Sequence, residues 1–435
     1  MKKVLLLVLV LAIVWFLIIP FARATKPVVG LATPVTVIGQ ATPVSIHVTH
    51  PKGVRSVTAL VEQNGKTYQV WALPQATKDR DSTFNFDVGA KSTPQLQDGK
   101  AQLIVEAASN GFPKKTTRFE QEVRVITRPP TVSADSDQHY LYVGMADVAT
   151  MDVTGTFTDA GVKVGDQRFR AWSMPDGKPG YFVLYAVPWY MNTDAQPLVY
   201  ASNGVGNDVT TTLNVQFPKK EQPHYTDHEL NLDDKFIQKV VGELDPNGSG
   251  DMVTRFVKIN SEMRKENNKT LADLTLKTAD HWLWSQPFLR QPGAKSEATF
   301  ADHRKYIYQG KVIDQQVHLG YDLAVTAHVG VQASNDGVVV YAAPLGIYGN
   351  CVVVDHGYGL QTIYGHMSRI DVKVGDAVKR GQVMGLSGMT GMAGGDHIHF
   401  SMELDGLQID PKEFWDAHWI QDHIVKRVGI PGWKE

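Results

Sequence analysis

The stretch HIHFSMELDG, His397 to Gly406, decides how the last third of this 435-residue chain is read. Ile398, Phe400, Met402 and Leu404 alternate strictly with polar residues. A β-strand sends alternate side chains to opposite faces, so His397 and His399 share one face and the apolar residues pack behind it. Outward from this strand the same apolar alternation runs through GVVVYAA, NCVVVDHG, LQTIYGHM, IDVKVG and VMGLSG, with glycines punctuating nearly every segment. Residues 291–417 are therefore expected to form a strongly turned, antiparallel β-barrel-like domain.

A second short motif, HLGYD, places His318 and Asp322 four residues apart. Even spacing on a strand predicts that this pair, too, points at one shared spot. Two imidazoles and a carboxylate are what a tetrahedral zinc site uses when its fourth position is left for water. His366 in YGHMS lies between the motifs. Only one of His397 and His399 need reach a metal, and the remaining imidazoles suit proton transfer and oxyanion stabilisation. A histidine beside an apolar strand is usually an ordinary polar residue, and His328, His356 and His418 are read that way. The combination of both motifs with a third histidine between them favours an open zinc hydrolase site with one ion per chain.

Composition narrows the rest. Hydrophobic residues make up 43% and charged residues 20%, which is ordinary for a globular chain, and the length points to several domains. A formal net charge of −2 gives no basic field for nucleic acid. The single cysteine, Cys351, sits in an apolar run and reads as a small core residue. Lys2 and Lys3 precede an apolar run from Val4 to Ile19, followed by Pro20 and Ala22-Arg23-Ala24. Residues 1–24 thus read as a signal peptide or a membrane anchor, which places the remainder in the cell envelope, at the periplasmic face.

A mainly β, multidomain chain is expected. Residues 27–127 read as a β-sandwich-like module, in which Val44, Ile46 and Val48 alternate with polar residues and Asn64-Gly65 marks a hairpin turn. Arg128-Pro129-Pro130 looks like a linker to a second β module over 131–217. Residues 218–290 switch to helical periodicity, with Phe236, Val240, Val241 and Leu244 on one face. DPNGSGD, Asp245 to Asp251, opens like a calcium loop, but Phe256 stands where a bidentate glutamate is needed, so an inter-helix turn is preferred. Residues 418–435 read as a short exposed tail. The two β modules suit spacing or docking to envelope proteins, and the helical segment could restrict the cleft.

With these residues in place, the span from about 300 to 416 resembles the lysostaphin-type, LytM-like zinc endopeptidases with their duplicated hybrid motif barrel. HLGYDLA, GNCVVVDHG, GLQTIYGHMSRI, VKVGDAVKRGQVMG and SGMTGMAGGDHIHF carry the resemblance, in the family's order. It implies zinc ligands at His318, Asp322 and His399, with His366 and His397 as catalytic histidines, and it implies the peptide cross-links of bacterial peptidoglycan as substrate. Two positions depart from the family pattern: Asp396 stands where proline is frequent, and Ser401 follows Phe400 where glutamate is frequent. Some family members have lost ligands and activate other cell-wall hydrolases, so a non-enzymatic envelope scaffold or activator is the alternative. VKVGDAVKRGQVMG also resembles the hairpin of biotinyl and lipoyl carriers, but it lacks their exposed lysine beside methionine.

Overall fold

The computed structural model describes Trp15 and residues 24–206, 208–324 and 326–434. The leader or anchor reading of residues 1–24 falls almost wholly outside the described residues. Among them, no helix is long and apolar enough to cross a membrane. The chain divides into two compact units. One holds residues up to Thr131 with Thr154–Asp159 and Ala201–Val209, and the other holds Val132–Val153, Ala160–Tyr200 and Thr210 onward.

In the first unit two sheets share a core. Strands Val28–Leu31, Thr42–Thr49 and Asp81–Val88 form one, and Val37–Ile38, Thr116–Val125, Gly99–Ser109, Val54–Gln63 and Lys66–Ala72 the other. Val44, Ile46 and Val48 pack with Val57, Val61, Leu103 and Val105, all fully or nearly fully buried. Asn64 and Gly65 both have positive φ, 51° and 73°, which is the two-residue turn that matches the twist of a hairpin.

The second unit contains the expected strongly turned antiparallel sheet. Its antiparallel order is Lys295–Ala298, Tyr321–Ala324, His397–Leu404, Leu360–Met367, Asn350–Asp355, Gly337–Pro344 and Ala377–Val378. Cys351 is fully buried in it. Before the sheet come helices Asp234–Leu244, Met252–Lys258 and Arg264–Leu274. Asp233 and Asp251 accept hydrogen bonds from Phe236 N and Thr254 N, so each carboxylate caps a helix start. The DPNGSGD stretch is thus a turn between helices, and Asp245 accepts from the Arg255 guanidinium. Ile237, Val240, Val241, Phe256 and Leu271 share one buried cluster with Tyr348, Cys351, Val353 and Ile363 of the barrel.

Three expectations change here. The segment 218–290 is not helical throughout: Asp227–Leu232 is a strand that pairs in parallel with Asp302–Tyr308, which in turn pairs antiparallel with Lys311–His318. The alternating Glu229, Asn231 and flanking residues carry no helical stripe, and the helix begins only at the Asp233 cap. Over its described residues, 418–434, the stretch expected as an exposed tail (418–435) is not one. Ile420, Ile424 and Val428 are fully buried, and the Arg427 guanidinium donates to Val148 O. Nor is 131–217 a module apart, because most of it lies in the same unit as the barrel. Arg170 forms a two-nitrogen clamp on Asp405, and the Phe182 ring packs edge-on against Tyr358 at 4.9 Å.

Candidate active site

HLGYD does not run along one strand. His318 ends the strand Lys311–His318, the chain turns through Leu319 and Gly320, and Asp322 lies in the next strand, Tyr321–Ala324. That strand pairs with the HIHF strand so that Asp322 stands directly opposite His399. Gly320 makes the turn possible: a Cβ there would sit 2.4 Å from Ser401 Oγ and 2.8 Å from the His399 ring. On the other side of His399 stands Gly365, likewise without a side chain. The even spacing of the motif is therefore a consequence of a turn between two strands, while HIHF follows the strand alternation expected of it.

Three atoms converge. His318 Nε2 lies 3.0 Å from Asp322 Oδ1 and 3.0 Å from His399 Nδ1, and His399 Nδ1 lies 3.1 Å from Asp322 Oδ1. The outward atoms are all tied. His318 Nδ1 donates to Thr299 O at 3.0 Å. Ser401 Oγ donates to Leu319 O at 2.6 Å, so it accepts from His399 Nε2 at 2.8 Å. The Arg304 guanidinium donates to Asp322 Oδ2 at 2.7 Å. With an N–H of each ring directed outward, His318 Nε2, His399 Nδ1 and a carboxylate oxygen are the atoms turned toward one point. Such a point is unfavourable unless a cation fills it. Donors bound to zinc at about 2.0–2.1 Å lie about 3.3 Å apart in a tetrahedral set, so a shift of a few tenths of an ångström completes the fit.

The electrostatics agree. Burial opposes ionisation of Asp322, yet the cluster of His318, His397 and His399 around it outweighs burial and holds the carboxyl well below its usual range, so Asp322 is the anionic member of the set. Burial lowers His399 to about 4, so its ring is neutral at pH 7, the form that coordinates metal.

His366 and His397 stand beside this point without joining the three. Their rings are 4.8 Å apart between centroids, and His397 Nε2 lies 3.4 Å from Asp322 Oδ1. His397 Nδ1 faces Gly395 O at 2.9 Å, and His366 Nδ1 donates to Thr390 O at 2.8 Å. Burial, followed by the neighbouring His397 and His399, keeps His366 neutral. Its φ of 63° is a strained conformation for a residue with a side chain. The site opens into a cavity of about 690 Å³ whose walls include Phe236, Lys239, Tyr348 and Met392.

Of the departures noted above, Ser401 orients His399, whereas Asp396 bonds the His328 amide at 3.2 Å rather than His397. His356 is fully buried between Asp336 O and Thr362 Oγ1, away from the five, and His418 is exposed. Sequence reasoning missed Arg304, Thr299 and Thr390. Arg304 reaches the site through strand register: its strand places Asp302 opposite His318, and Arg304, two residues on, shares that face.

Residues 316–411 match the profile of Peptidase family M23. The DD-carboxypeptidase/endopeptidase Mpg of Neisseria meningitidis is 35% identical over 96 residues, which is 22% of this chain and 22% of that protein. The peptidoglycan DD-endopeptidase ShyA of Vibrio cholerae is 42% identical over 93 residues, 21% of this chain and 22% of that protein. Stage II sporulation protein Q of Bacillus subtilis is 40% identical over 88 residues, 20% of this chain and 31% of that protein. The matched stretch thus spans about a fifth to a third of these relatives' length. A putative M23 peptidase from Pseudomonas aeruginosa superposes with a TM-score of 0.39 at 18% identity, over 63% of this chain and 95% of that one. At its C-terminal end, then, this chain carries a domain of peptidase family M23, the lysostaphin and LytM family.

Proposed function

We propose that the chain is a zinc metalloendopeptidase that hydrolyses peptide cross-links of bacterial peptidoglycan in cell-wall remodelling. The observation that carries this is the convergence of His318 Nε2, Asp322 Oδ1 and His399 Nδ1 within 3.0–3.1 Å, with every outward atom tied. Two relatives of the domain bear names of peptidoglycan or DD-specific endopeptidases, which supports the substrate class.

These three residues would hold one zinc ion. When bound, the ion supplies Lewis-acid polarisation of the scissile carbonyl and activation of water. The chain's own groups do the remainder. Arg304 keeps one oxygen of Asp322 turned away, so the other faces inward. Ser401 and Leu319 O hold the His399 ring, and Thr299 O holds the His318 ring. His366, with Nδ1–H committed to Thr390 O, leaves Nε2 as an acceptor, and with His397 it divides proton transfer and oxyanion stabilisation. We extend the proposal, on the export reading of residues 1–24, to an activity at the periplasmic face of the envelope that acts on peptidoglycan stem peptides.

His399→Ala removes one ligand of three. It is expected to lower zinc binding sharply and to abolish release of peptides from purified sacculi. Retention of the biological effect by that variant would favour the envelope scaffold or activator instead.

A further inference from the structure

The helix Asp234–Leu244 does more than wall the cavity. Lys239 and Glu243, one turn apart, both reach the loop that follows Ser387. Lys239 Nζ donates to Met389 O at 2.6 Å, to Gly391 O, and to Ala393 O at 3.4 Å. Glu243 Oε1 accepts from the Gly391 amide. The carbonyls of 389, 391 and 393 thus face the ammonium, while the carbonyl of Thr390, between them, faces the other way and accepts from His366 Nδ1. Gly391 must be glycine: its φ is 68°, and a Cβ would lie 2.3 Å from Gly349 N. Thr390 Oγ1 completes the anchorage by donating to Met367 O, beside His366, and accepting from Asn350 N.

We propose that Lys239 and Glu243 are positioning residues for His366, gripping the 389–393 loop from its acceptor and donor sides and so fixing the ring's tautomer and direction. The helical segment then completes the site as well as bounding it. Two features make this grip consequential. His366 sits in a strained backbone conformation that persists only where its surroundings over-determine it. Among the described residues its Nδ1–H is held by Thr390 O, so a shift of that carbonyl frees the proton to move to Nε2 and removes the acceptor. Neither Lys239 nor Glu243 touches the three converging atoms, which separates positioning of His366 from metal holding.

The inference rests on the proposed role of His366, and its test keeps the two apart. Long-range 1H–15N spectra of the imidazoles and steady-state kinetics would be recorded on the zinc-loaded full chain, wild type, Lys239→Ala, Lys239→Arg and Glu243→Gln. The wild type is expected to show His366 protonated at Nδ1. Lys239→Ala and Glu243→Gln are expected to show mixed tautomers, kcat lowered by about 10–100-fold, and zinc affinity within about twofold of wild type. Lys239→Arg should restore most of both signals. An unchanged His366 tautomer in Lys239→Ala and Glu243→Gln overturns the proposal, whatever the activity. So does a loss of zinc affinity equal to the loss of kcat. If the wild type hydrolyses nothing, the spectra alone still decide the positioning claim.

Discussion

At the scale of single residues, the site is a set of tied side chains around three inward atoms. Arg304 is the most informative of them. Its bond to Asp322 Oδ2 holds the carboxylate with Oδ1 inward, and partners of this kind typically contribute 10–100-fold to metal affinity. Arg304→Ala is expected to weaken zinc binding by about that factor, with activity falling in parallel and being recovered at raised zinc; competition with a zinc chelator measures it. His366→Ala should separate differently, with kcat down about 100–10,000-fold and one zinc still bound per chain, read by metal analysis beside kinetics. His318, Asp322, His366, His397 and His399 were legible as a group because two short motifs with even spacing are visible in one line of sequence. Arg304, Thr299 and Ser401 were not, since their roles depend on which strands lie side by side. Register between distant strands is set by packing and turns, and single-sequence periodicity does not encode it.

At the scale of elements, the HIHF strand behaves as its alternation requires, while HLGYD reaches the same end by a turn that only glycine at 320 permits. The stretch 418–434 misled for a similar reason. Its Ile420, Ile424 and Val428 recur every four residues, a helix-like stripe mixed with enough charge to look solvated, and all three are buried. Ile424→Ala is expected to destabilise the second unit by about 2–4 kcal/mol, visible as a lowered denaturation midpoint. The same stretch meets a buried ionic cluster in the second β module. His139 contacts Asp135 at 2.9 Å and Asp147 at 2.7 Å, and His423 contacts the other oxygen of Asp147 at 2.9 Å. Burial would lower the His139 pKa, but the hydrogen bonds and charges of Asp135 and Asp147 outweigh it and push it up to about 9. A proton held more tightly in the folded chain stabilises it fully below the unfolded value of about 6.5, and that contribution fades as pH rises through about 9. The melting temperature of wild type should therefore exceed that of His139→Gln by a wide margin at pH 6 and by a smaller one at pH 9.5. A margin that does not change with pH would contradict this.

At the scale of the whole molecule, the sequence pattern located a mainly β chain with helices before a C-terminal barrel, but not how its parts combine. Compact units form where apolar faces meet, and the faces of 234–277 are covered by barrel residues more than a hundred positions away in places. Leu271 and Val241, for example, share a core with Ile363 and Val353. A fragment limited to 291–417 would expose that cluster. It is expected to be aggregated or unfolded by circular dichroism and size-exclusion chromatography, whereas a chain starting at Val132 keeps the cluster covered and should melt cooperatively.

The central claim is peptide-bond hydrolysis in peptidoglycan by the centre built on His318, Asp322 and His399. Purified sacculi treated with the zinc-loaded protein, then resolved as muropeptides by mass spectrometry, test it most directly. The account predicts loss of cross-linked dimers with matching new monomers, whose masses identify the bond, and no change with His399→Ala. Unchanged muropeptides at one zinc per chain would contradict it and favour the envelope scaffold or activator.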